Sequence, residues 1–433
     1  MVWNKIECAK REDIESLQLK RLQETLKRVY ALTPFYKKKF DELKILPEDI
    51  KSLKDIQKLP FTKKQDLRDH YPFGLFTVPM SQVVRIHSSS GTTGKPTVVG
   101  YTAADMDVWN EVMARVYTMA GVNAGDVVHN GYGYGLFTGG LGFHEAAQKI
   151  GAAVVPASGG FTDRQLMLMR DFGATVLAAT PSFALHLAEI AKKSGSNYKD
   201  EYKLKCGIFG AEPVSEGLKK EVSEAWGIEY YETYGLSEII GPGVSSSCKH
   251  SKLLHINEDH FYPEIIDPKT GDVLGEGERG ELVITTLTKQ ALPIIRYRTG
   301  DITSLTYEPC KCGRTMVRME SILGRADDML IVNGVNVYPS QVEHVIANTK
   351  GVTLNYQIVA DKKGFLDKLE ILVEISDEVI SDNIKELENI KKELQHSLLN
   401  NLYINANVKL VEPRTIERSM GKAVRVVDKR SVK

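Results

Sequence analysis

The sequence predicts a two-part α/β protein: a large N-terminal body of α/β sheets with a β-rich subdomain, and a small α+β C-terminal lid domain. Three observations predict it. From about Ser81 to Gly280, short apolar runs alternate with helical stretches, the pattern of sheets covered on both faces. After Glu276 the rhythm turns to closely spaced strands. Beyond Leu323-Gly324-Arg325 the order becomes ββαββαβ over about 100 residues, small enough to turn as one unit. The expected boundaries are 1–325 and 326–433.

In chain order, Ile14, Leu17, Leu22, Leu26 and Val29 carry helical spacing, with Pro34 marking the end of that helix. Thr102 is placed to cap a helix running to Gly121, followed by a strand at Asp126–His129. A helix at Leu141–Ile150 and a strand at Ala152–Val155 come next. Thr162 caps a helix to Phe172, and Ala174–Ala179, Lys203–Phe209 and Ile228–Tyr231 read as strands. The β-rich part holds Glu281–Thr286, Ile294–Arg298 and Ile302–Thr306. In the last part, paired strands around Met329–Val337 precede a Pro339-led helix to Asn348. Strands at Leu354–Val359 and Leu369–Ile375, a helix at Ser381–Asn400 and a strand at Asn407–Val411 complete it.

The chain has 433 residues, more than one core usually supports at about 100–200 residues per domain. Its 56 basic and 56 acidic side chains cancel, which argues against a nucleic-acid partner needing a basic stripe. A hydrophobic fraction of 42% with 26% charged residues reads as globular rather than disordered. Five cysteines cannot form a disulfide framework in so long a chain, and no apolar run reaches the roughly 18 residues of a membrane span. The charged N-terminus lacks the apolar core of a signal peptide. A cytoplasmic enzyme is expected.

Ser88-Ser89-Ser90-Gly91-Thr92-Thr93-Gly94-Lys95-Pro96 is the most informative stretch. Hydroxyl donors, two glycines that admit close backbone approach and one lysine suit the oxyanions of a polyphosphate. A Walker P-loop would need Gly at position 89 and Ser or Thr at 96; the chain has Ser89 and Pro96, so that rival fails.

Four further stretches accompany the loop. They are Tyr231-Glu232-Thr233-Tyr234-Gly235-Leu236-Ser237-Glu238, read as a polar turn after a strand; Arg296-Tyr297-Arg298-Thr299-Gly300-Asp301; Gly324-Arg325-Ala326-Asp327-Asp328; and Arg418-Ser419-Met420-Gly421-Lys422. In this order the five resemble the acyl- and aryl-adenylate-forming superfamily of acyl-CoA synthetases, luciferases and peptide-synthetase adenylation domains. The resemblance runs from about Phe61 to Val427. Within the superfamily the chain is most similar to the phenylacetate–coenzyme A ligase branch, through its SSSGTTGKPTVVGYT run, Ile208-Phe209-Gly210-Ala211-Glu212-Pro213, and Gly334-Val335-Asn336-Val337-Tyr338-Pro339.

The resemblance implies the reaction of ATP, an aryl-acetate and coenzyme A to give the aryl-acetyl thioester, AMP and pyrophosphate. It implies ATP binding by Ser88–Lys95 at the phosphates, by Gly210, Ala211, Glu212, Pro213 and Tyr231, Glu232, Thr233, Tyr234 around the adenine, and by Asp301 and Arg325 at the ribose. Glu238 would hold Mg²⁺, a hard cation suited to carboxylate oxygen. Lys422 would bridge the incoming carboxylate and the α-phosphate, with Thr233 counted beside it and Glu238 as catalytic. Asp327 would be the hinge and Gly334 would approach the coenzyme A thiol. Tyr132, Phe137 and Gly140, in Tyr132–Gly140, would line the acid pocket. A homodimer is the expected assembly. The chain departs from the pattern at Ile331, where many members have Lys, and at Asn333, where close relatives often have Arg.

Independently of the resemblance, Cys310-Lys311-Cys312 before Gly313 can present two thiolates to one ion. Cys248 and one histidine would close a tetrahedral structural Zn²⁺ site, with His255 preferred over His250 and His260. Two other readings compete: adenylation with a carrier-protein thiol as acceptor, and a zinc-stabilised binding or scaffold protein. The first lacks an appended carrier domain in this chain. The second leaves the five ordered motifs without a purpose.

Overall fold

The computed structural model of the protein describes residues 2–89, 96–193, 195, 198–326, 330–332, 335–363, 366–379, 384–402, 405–417 and 425–430. A short 3₁₀ turn, Lys5–Cys8, leads into α1 (Arg11–Leu32) and α2 (Pro34–Leu43). Pro34 does not merely end the first helix. It opens the second at a position where its missing N–H is no loss, and the chain turns at Thr33. After α3 (Lys64–Asp69), β1 (Arg85–Ser88) and β2 (Val98–Tyr101) form an antiparallel hairpin. Thr102 caps α4 (Ala103–Met119) through the Asp105 amide, and Asp105 returns a bond to the Thr102 amide at 2.8 Å.

The body continues with β3 (Val127–Asn130), α5 (Gly139–Lys149), β4 (Ala153–Val155), α6 (Thr162–Asp171), β5 (Val176–Ala179), α7 (Pro181–Lys192), β6 (Cys206–Phe209), α8 (Glu216–Trp226) and β7 (Glu229–Leu236). Thr162 proves to be the first helical residue of α6 rather than its cap, because Phe161 takes the left-handed backbone at the cap position. Then follow β8 (Gly241–Cys248), β9 (Ser251–Ile256), β10 (Phe261–Ile266), β11 (Gly280–Thr286), β12 (Tyr297–Thr303), β13 (Leu305–Thr306), β14 (Arg318–Met319) and β15 (Gly324–Arg325).

The β-rich part therefore starts at Gly241, well before Glu276. The two strands expected at 294–298 and 302–306 are instead one strand, β12, followed by the two-residue β13. The Tyr231–Leu236 run is not a turn but most of β7, which is buried at Tyr231, Glu232 and Thr233.

Among the described residues the largest sheet has nine strands in the order β13-β14-β9-β8-β7-β6-β5-β3-β4. Its half from β4 to β7 is parallel, and from β7 onward it is antiparallel. The change falls within β7 itself: Glu229–Glu232 pair with β6, and Thr233–Leu236 pair with β8. The segments after the carboxyl ends of parallel strands are where α/β proteins place their ligands. A second sheet, β10-β11-β12-β15, brings Asp301 and Arg325 into register.

The C-terminal part contains β16 (Leu330–Val332), β17 (Val335–Val337), α9 (Pro339–Ala347), β18 (Val352–Lys363), β19 (Leu366–Ile375), α10 (Ile384–Leu402), β20 (Asn407–Val411) and β21 (Val426–Asp428). Here β21 adds a parallel strand to β18 beyond the expected order. Its apolar residues, among them Val342, Ile358, Ile371, Val373 and Leu394, pack in one continuous core with Leu218, Val222 and Trp226 of α8. The α8–α9 contact is close: a Cβ placed on Gly217 would lie 2.5 Å from the Ala347 methyl. No helix among the described residues is long and apolar enough to cross a membrane.

Candidate active site

The turn after β6 carries Gly210–Pro213 and lies against β7. Gly210 is obligatory there, since a Cβ would sit 2.3 Å from the Thr233 carbonyl oxygen. Ala211 holds a positive φ of 71°, a conformation costly for a non-glycine residue and tolerated where the surroundings impose it. The Glu212 carboxylate points to the start of α7, accepting from the Ser182 amide at 3.2 Å and its hydroxyl at 2.8 Å. It anchors the turn to a helix N-terminus.

Along β7, Tyr231 is packed in the main core, and the Thr233 hydroxyl donates to the Ser245 carbonyl at 3.0 Å. Glu232 is held from every side. Its amide donates to Ser247 at 2.8 Å, its carbonyl accepts from Ser246 at 3.0 Å, and its carboxylate meets Lys219 and the Ser321 hydroxyl, each at 2.7 Å. Burying Glu232 and Lys219 is tolerable because the charges are mutually paired and hydrogen-bonded.

Tyr234 faces the second sheet. Its phenol donates to one oxygen of Asp301 at 2.7 Å, while Arg325 donates to the other at 3.0 Å. Burial, with Asp301 alongside, pushes the Tyr234 phenol well above its ordinary range, so it remains a donor. Three of the residues expected at the nucleotide thus converge on one carboxylate.

The β1–β2 hairpin fixes both ends of the hydroxyl-rich loop. The Ser88 amide donates to the Leu136 carbonyl at 2.9 Å, the Ser89 amide to the Thr97 carbonyl at 3.0 Å, and the Ser89 and Thr97 hydroxyls hydrogen-bond each other. Ser90, Gly91, Thr92, Thr93, Gly94 and Lys95 lie outside the described residues, as do Asp327, Gly334 and Lys422. Below the loop, the buried Glu238 accepts from the Thr97 hydroxyl at 3.3 Å and faces the Lys64 ammonium at 3.7 Å.

Lys289, only 3% exposed, donates to the Glu238 carbonyl at 3.3 Å and lies over the Tyr101 ring. Burial lowers its pKa to about 8, against the pull of Asp105 and Glu238. Neither Lys64 nor Lys289 was anticipated. The repeated lysine of Phe61-Thr62-Lys63-Lys64, opening a helix, was the signal for the first; nothing in the sequence marks the second.

In the segment expected to hold the acid, the Tyr132 ring stacks on Phe143 at 4.7 Å and is buried, and its phenol is pushed up by burial and by nearby Glu212. The segment expected to hold the acid and the turn expected at the adenine therefore adjoin. Gly140 packs under that segment: a Cβ there would meet the Gly133 carbonyl oxygen at 2.6 Å. Asn130 ties the loop down, donating to the Gly140 carbonyl at 2.7 Å and to the Tyr134 hydroxyl at 2.8 Å. Phe137, at 54% exposed, stands at the open rim.

Comparison with known proteins decides the family. The AMP-binding enzyme profile matches residues 11–288, and that of the AMP-binding enzyme C-terminal domain matches residues 334–430. The chain belongs to the AMP-binding enzyme family. Among its relatives, the phenylacetate–coenzyme A ligase of Thermus thermophilus is 49% identical over 98% of both chains. That of Escherichia coli K12 is 46% identical over 99% of this chain and 97% of its own. The crystal structure of 2-hydroxyisobutyryl-CoA ligase in its postadenylation state matches with a TM-score of 0.93 at 30% identity, covering 99% of this chain and 92% of the other. The same ligase in its thioesterification state, at 31% identity and the same coverage, matches at 0.73. The described arrangement is thus nearer to that relative's postadenylation structure than to its thioesterification structure.

A second cluster in this AMP-binding enzyme lies apart from the residues expected at the nucleotide. Cys248 at the end of β8, His255 in β9, and Cys310 and Cys312 in the loop before β14 bring their ligand atoms within 4.8 Å of one another. The Cys248 and Cys310 sulfurs are 3.8 Å apart, and the Cys312 sulfur is 3.5 Å from His255 Nε2. With Zn–S of about 2.3 Å and Zn–N of about 2.0–2.1 Å, a tetrahedron has S–S edges of about 3.8 Å and S–N edges of about 3.5 Å. The donor set and both edges fit a four-coordinate zinc ion. The hydrogen bond between Cys248 and Cys312 lowers the Cys312 thiol, with His255 adding to it, and raises the Cys248 thiol.

Proposed function

We propose that the chain ligates phenylacetate or a related aryl-acetic acid to coenzyme A through an acyl-adenylate, releasing pyrophosphate and then AMP. The observation that carries this reading is identity of 46–49% to phenylacetate–coenzyme A ligases over nearly the whole chain. In the first step the acid's carboxylate attacks the α-phosphorus and pyrophosphate leaves. In the second the thiol of coenzyme A attacks the acyl carbonyl and AMP leaves. Both partners of the first step are anions, so the task is to offset charge and fix geometry.

Asp301 would accept from the ribose hydroxyls, with Tyr234 and Arg325 holding its oxygens in place. The Ser88–Lys95 loop would bind the β- and γ-phosphates. Lys422 would offset charge between carboxylate and α-phosphate. The buried Glu238 carboxylate, beside the Thr97 hydroxyl and at the base of the phosphate loop, suits Mg²⁺, which when bound supplies positive charge to the phosphates. Lys64 and Lys289 add cations at the same corner.

The difference between TM-scores of 0.93 and 0.73 for two states of one relative supports a mobile unit at 326–433 turning about Asp327, with Gly334 then nearing the thiol. Tyr132, Phe137 and Gly140 are the proposed acid-pocket residues. The reading includes a structural Zn²⁺ on Cys248, His255, Cys310 and Cys312, a homodimer and a cytoplasmic setting. It is tested by pyrophosphate release in the presence of ATP, coenzyme A and a panel of aryl and alkyl carboxylates. Acid-dependent release greatest with phenylacetates is expected; release with none of them, or equal release with simple alkanoates, overturns it.

A further inference from the structure

We infer that the metal at the Cys/His cluster is a positioning device for the nucleotide site, coupled to it across the nine-stranded sheet. The inference rests on the zinc reading. In the register of that sheet, Thr233 of β7 stands opposite Ser246 of β8, Ser246 opposite His255 of β9, and His255 opposite Arg318 of β14. A metal ligand and a residue of the adenine-side strand are therefore members of one transverse row. They are two strand spacings apart, about 10 Å.

Two covalent routes run the same way. Cys248 follows Ser246 and Ser247, which hold the Glu232 carbonyl and amide. The chain from Cys310 and Cys312 runs through β14 to Ser321, whose hydroxyl holds the Glu232 carboxylate at 2.7 Å and shares Lys219 with it. Apart from Lys219 of α8, the side chains that fix Glu232 thus lie on segments that carry metal ligands. Without an ion, the cluster is held by contacts among its own thiols and imidazole and by hydrogen bonds of Cys248 to the His250 backbone and of Cys312 to Arg314, and thiols are weak hydrogen-bonding groups. His255 shows the gap directly: its ring is fully buried and Nδ1 has no hydrogen-bond partner, so Nε2 alone orients the ring. Ligands on β8, on β9 and on the loop are held to one geometry only when one ion binds them all. Closing that geometry fixes the two supports of Glu232 relative to each other and hence the strand that carries Thr233 and Tyr234.

The consequence is a split in kinetics. Loss of the ion should leave turnover at saturating ATP nearly intact while raising KM for ATP about tenfold, the scale of one misaligned buried hydrogen bond. KM for the acid should move little, because the Tyr132–Gly140 segment touches neither route.

The test uses the full-length enzyme, with zinc counted by elemental analysis. Zinc is then removed with a chelator that is dialysed away before Mg²⁺ and ATP are added, and added back in a parallel sample. Two variants accompany it: Cys312→Ser, which removes a ligand, and Ser321→Ala, which keeps the metal and cuts one support of Glu232. The expected result is about one zinc per chain, a raised KM for ATP in the stripped enzyme and in Cys312→Ser, recovery in the stripped enzyme on zinc addition, and a smaller rise of the same kind in Ser321→Ala with zinc retained. An unchanged KM for ATP in protein shown to have lost its zinc overturns the coupling and leaves the zinc reading standing. So does a loss of kcat that follows the unfolded fraction by circular dichroism, which marks a purely structural ion. No zinc in fresh protein, and none taken up on loading, overturns the zinc reading and the inference with it.

Discussion

The Tyr234 phenol donates to Asp301 across 2.7 Å, joining a strand of the nine-stranded sheet to a strand of the four-stranded one. The bond fixes one oxygen of Asp301, the residue proposed to meet the ribose, while Arg325 holds the other. Removing the hydroxyl in Tyr234→Phe leaves the carboxylate with one partner fewer but still paired. A hydrogen bond to a charged group contributes about 1.5 kcal/mol, so KM for ATP should rise roughly tenfold with kcat little changed. Steady-state kinetics at fixed acid and coenzyme A check this. A fall in kcat alone would show that the bond matters to chemistry and not to nucleotide binding.

Arg115 lies almost wholly inside the body and grips Asp259 with two bonds, at 2.7 and 3.0 Å. Burial pushes the Asp259 carboxyl up, but His260 and Arg115 outweigh it and hold it well below the usual range. Arg115→Met strands that charge, at a cost of about 3 kcal/mol, the lower end for breaking a buried pair because His260 remains. Urea unfolding should show the loss, with the activity of the folded fraction preserved.

Lys289 offers a test by pH. Its folded pKa of about 8 lies below the ordinary 10.5. Between these values the unfolded chain carries the extra proton, so the group's contribution to stability rises with pH across that window. The stability of the wild type relative to Lys289→Met should therefore increase from pH 8 to 10.5, by up to about 3 kcal/mol. Chemical denaturation at a series of pH values reads it, and a constant gap would mean that Lys289 keeps its ordinary affinity for protons.

Gly217 separates stability from domain arrangement. Gly217→Ala favours helix α8 by up to about 1 kcal/mol, yet its methyl would lie 2.5 Å from that of Ala347 in α9. The variant should melt no lower than the wild type. Pyrophosphate release should slow several-fold, on the scale of about 1 kcal/mol of overpacking, while thioester formation from a supplied acyl-adenylate is spared. Equal slowing of both steps would contradict a role for this contact in one pose only.

Much of the architecture was legible because it rests on local chemistry. The Thr102 and Asp105 cap, the apolar strands of the parallel half and the Pro339-led helix declare themselves within a few residues. What escaped depends on distant partners. The Tyr231–Leu236 run looks like a turn because a buried glutamate has no place in an isolated strand. Lys219, Ser247 and Ser321 supply what it lacks, from three other segments. Strand β8, Gly-Pro-Gly-Val-Ser-Ser-Ser-Cys, has little strand propensity of its own and exists through its pairing with β7 and β9. Lys289 gains its meaning from a backbone carbonyl of Glu238, which no residue type advertises. The Cys/His cluster was readable because ligand chemistry restricts both residue type and local spacing.

The two halves of the proposed active site are secured to very different degrees, and this bears on how such a protein can change over generations. Glu232, Tyr234 and Asp301 are each tied by several partners from separate segments, so almost any exchange there disturbs more than one support. The Tyr132–Gly140 loop ends at an open rim where Leu136 and Phe137 face water, and exchanges at an exposed rim usually cost little stability. On the proposed assignment, new acids can be tried at the rim while the residues proposed for the nucleotide stay untouched. A lineage built on this plan can widen its diet by point mutation long before it alters its chemistry.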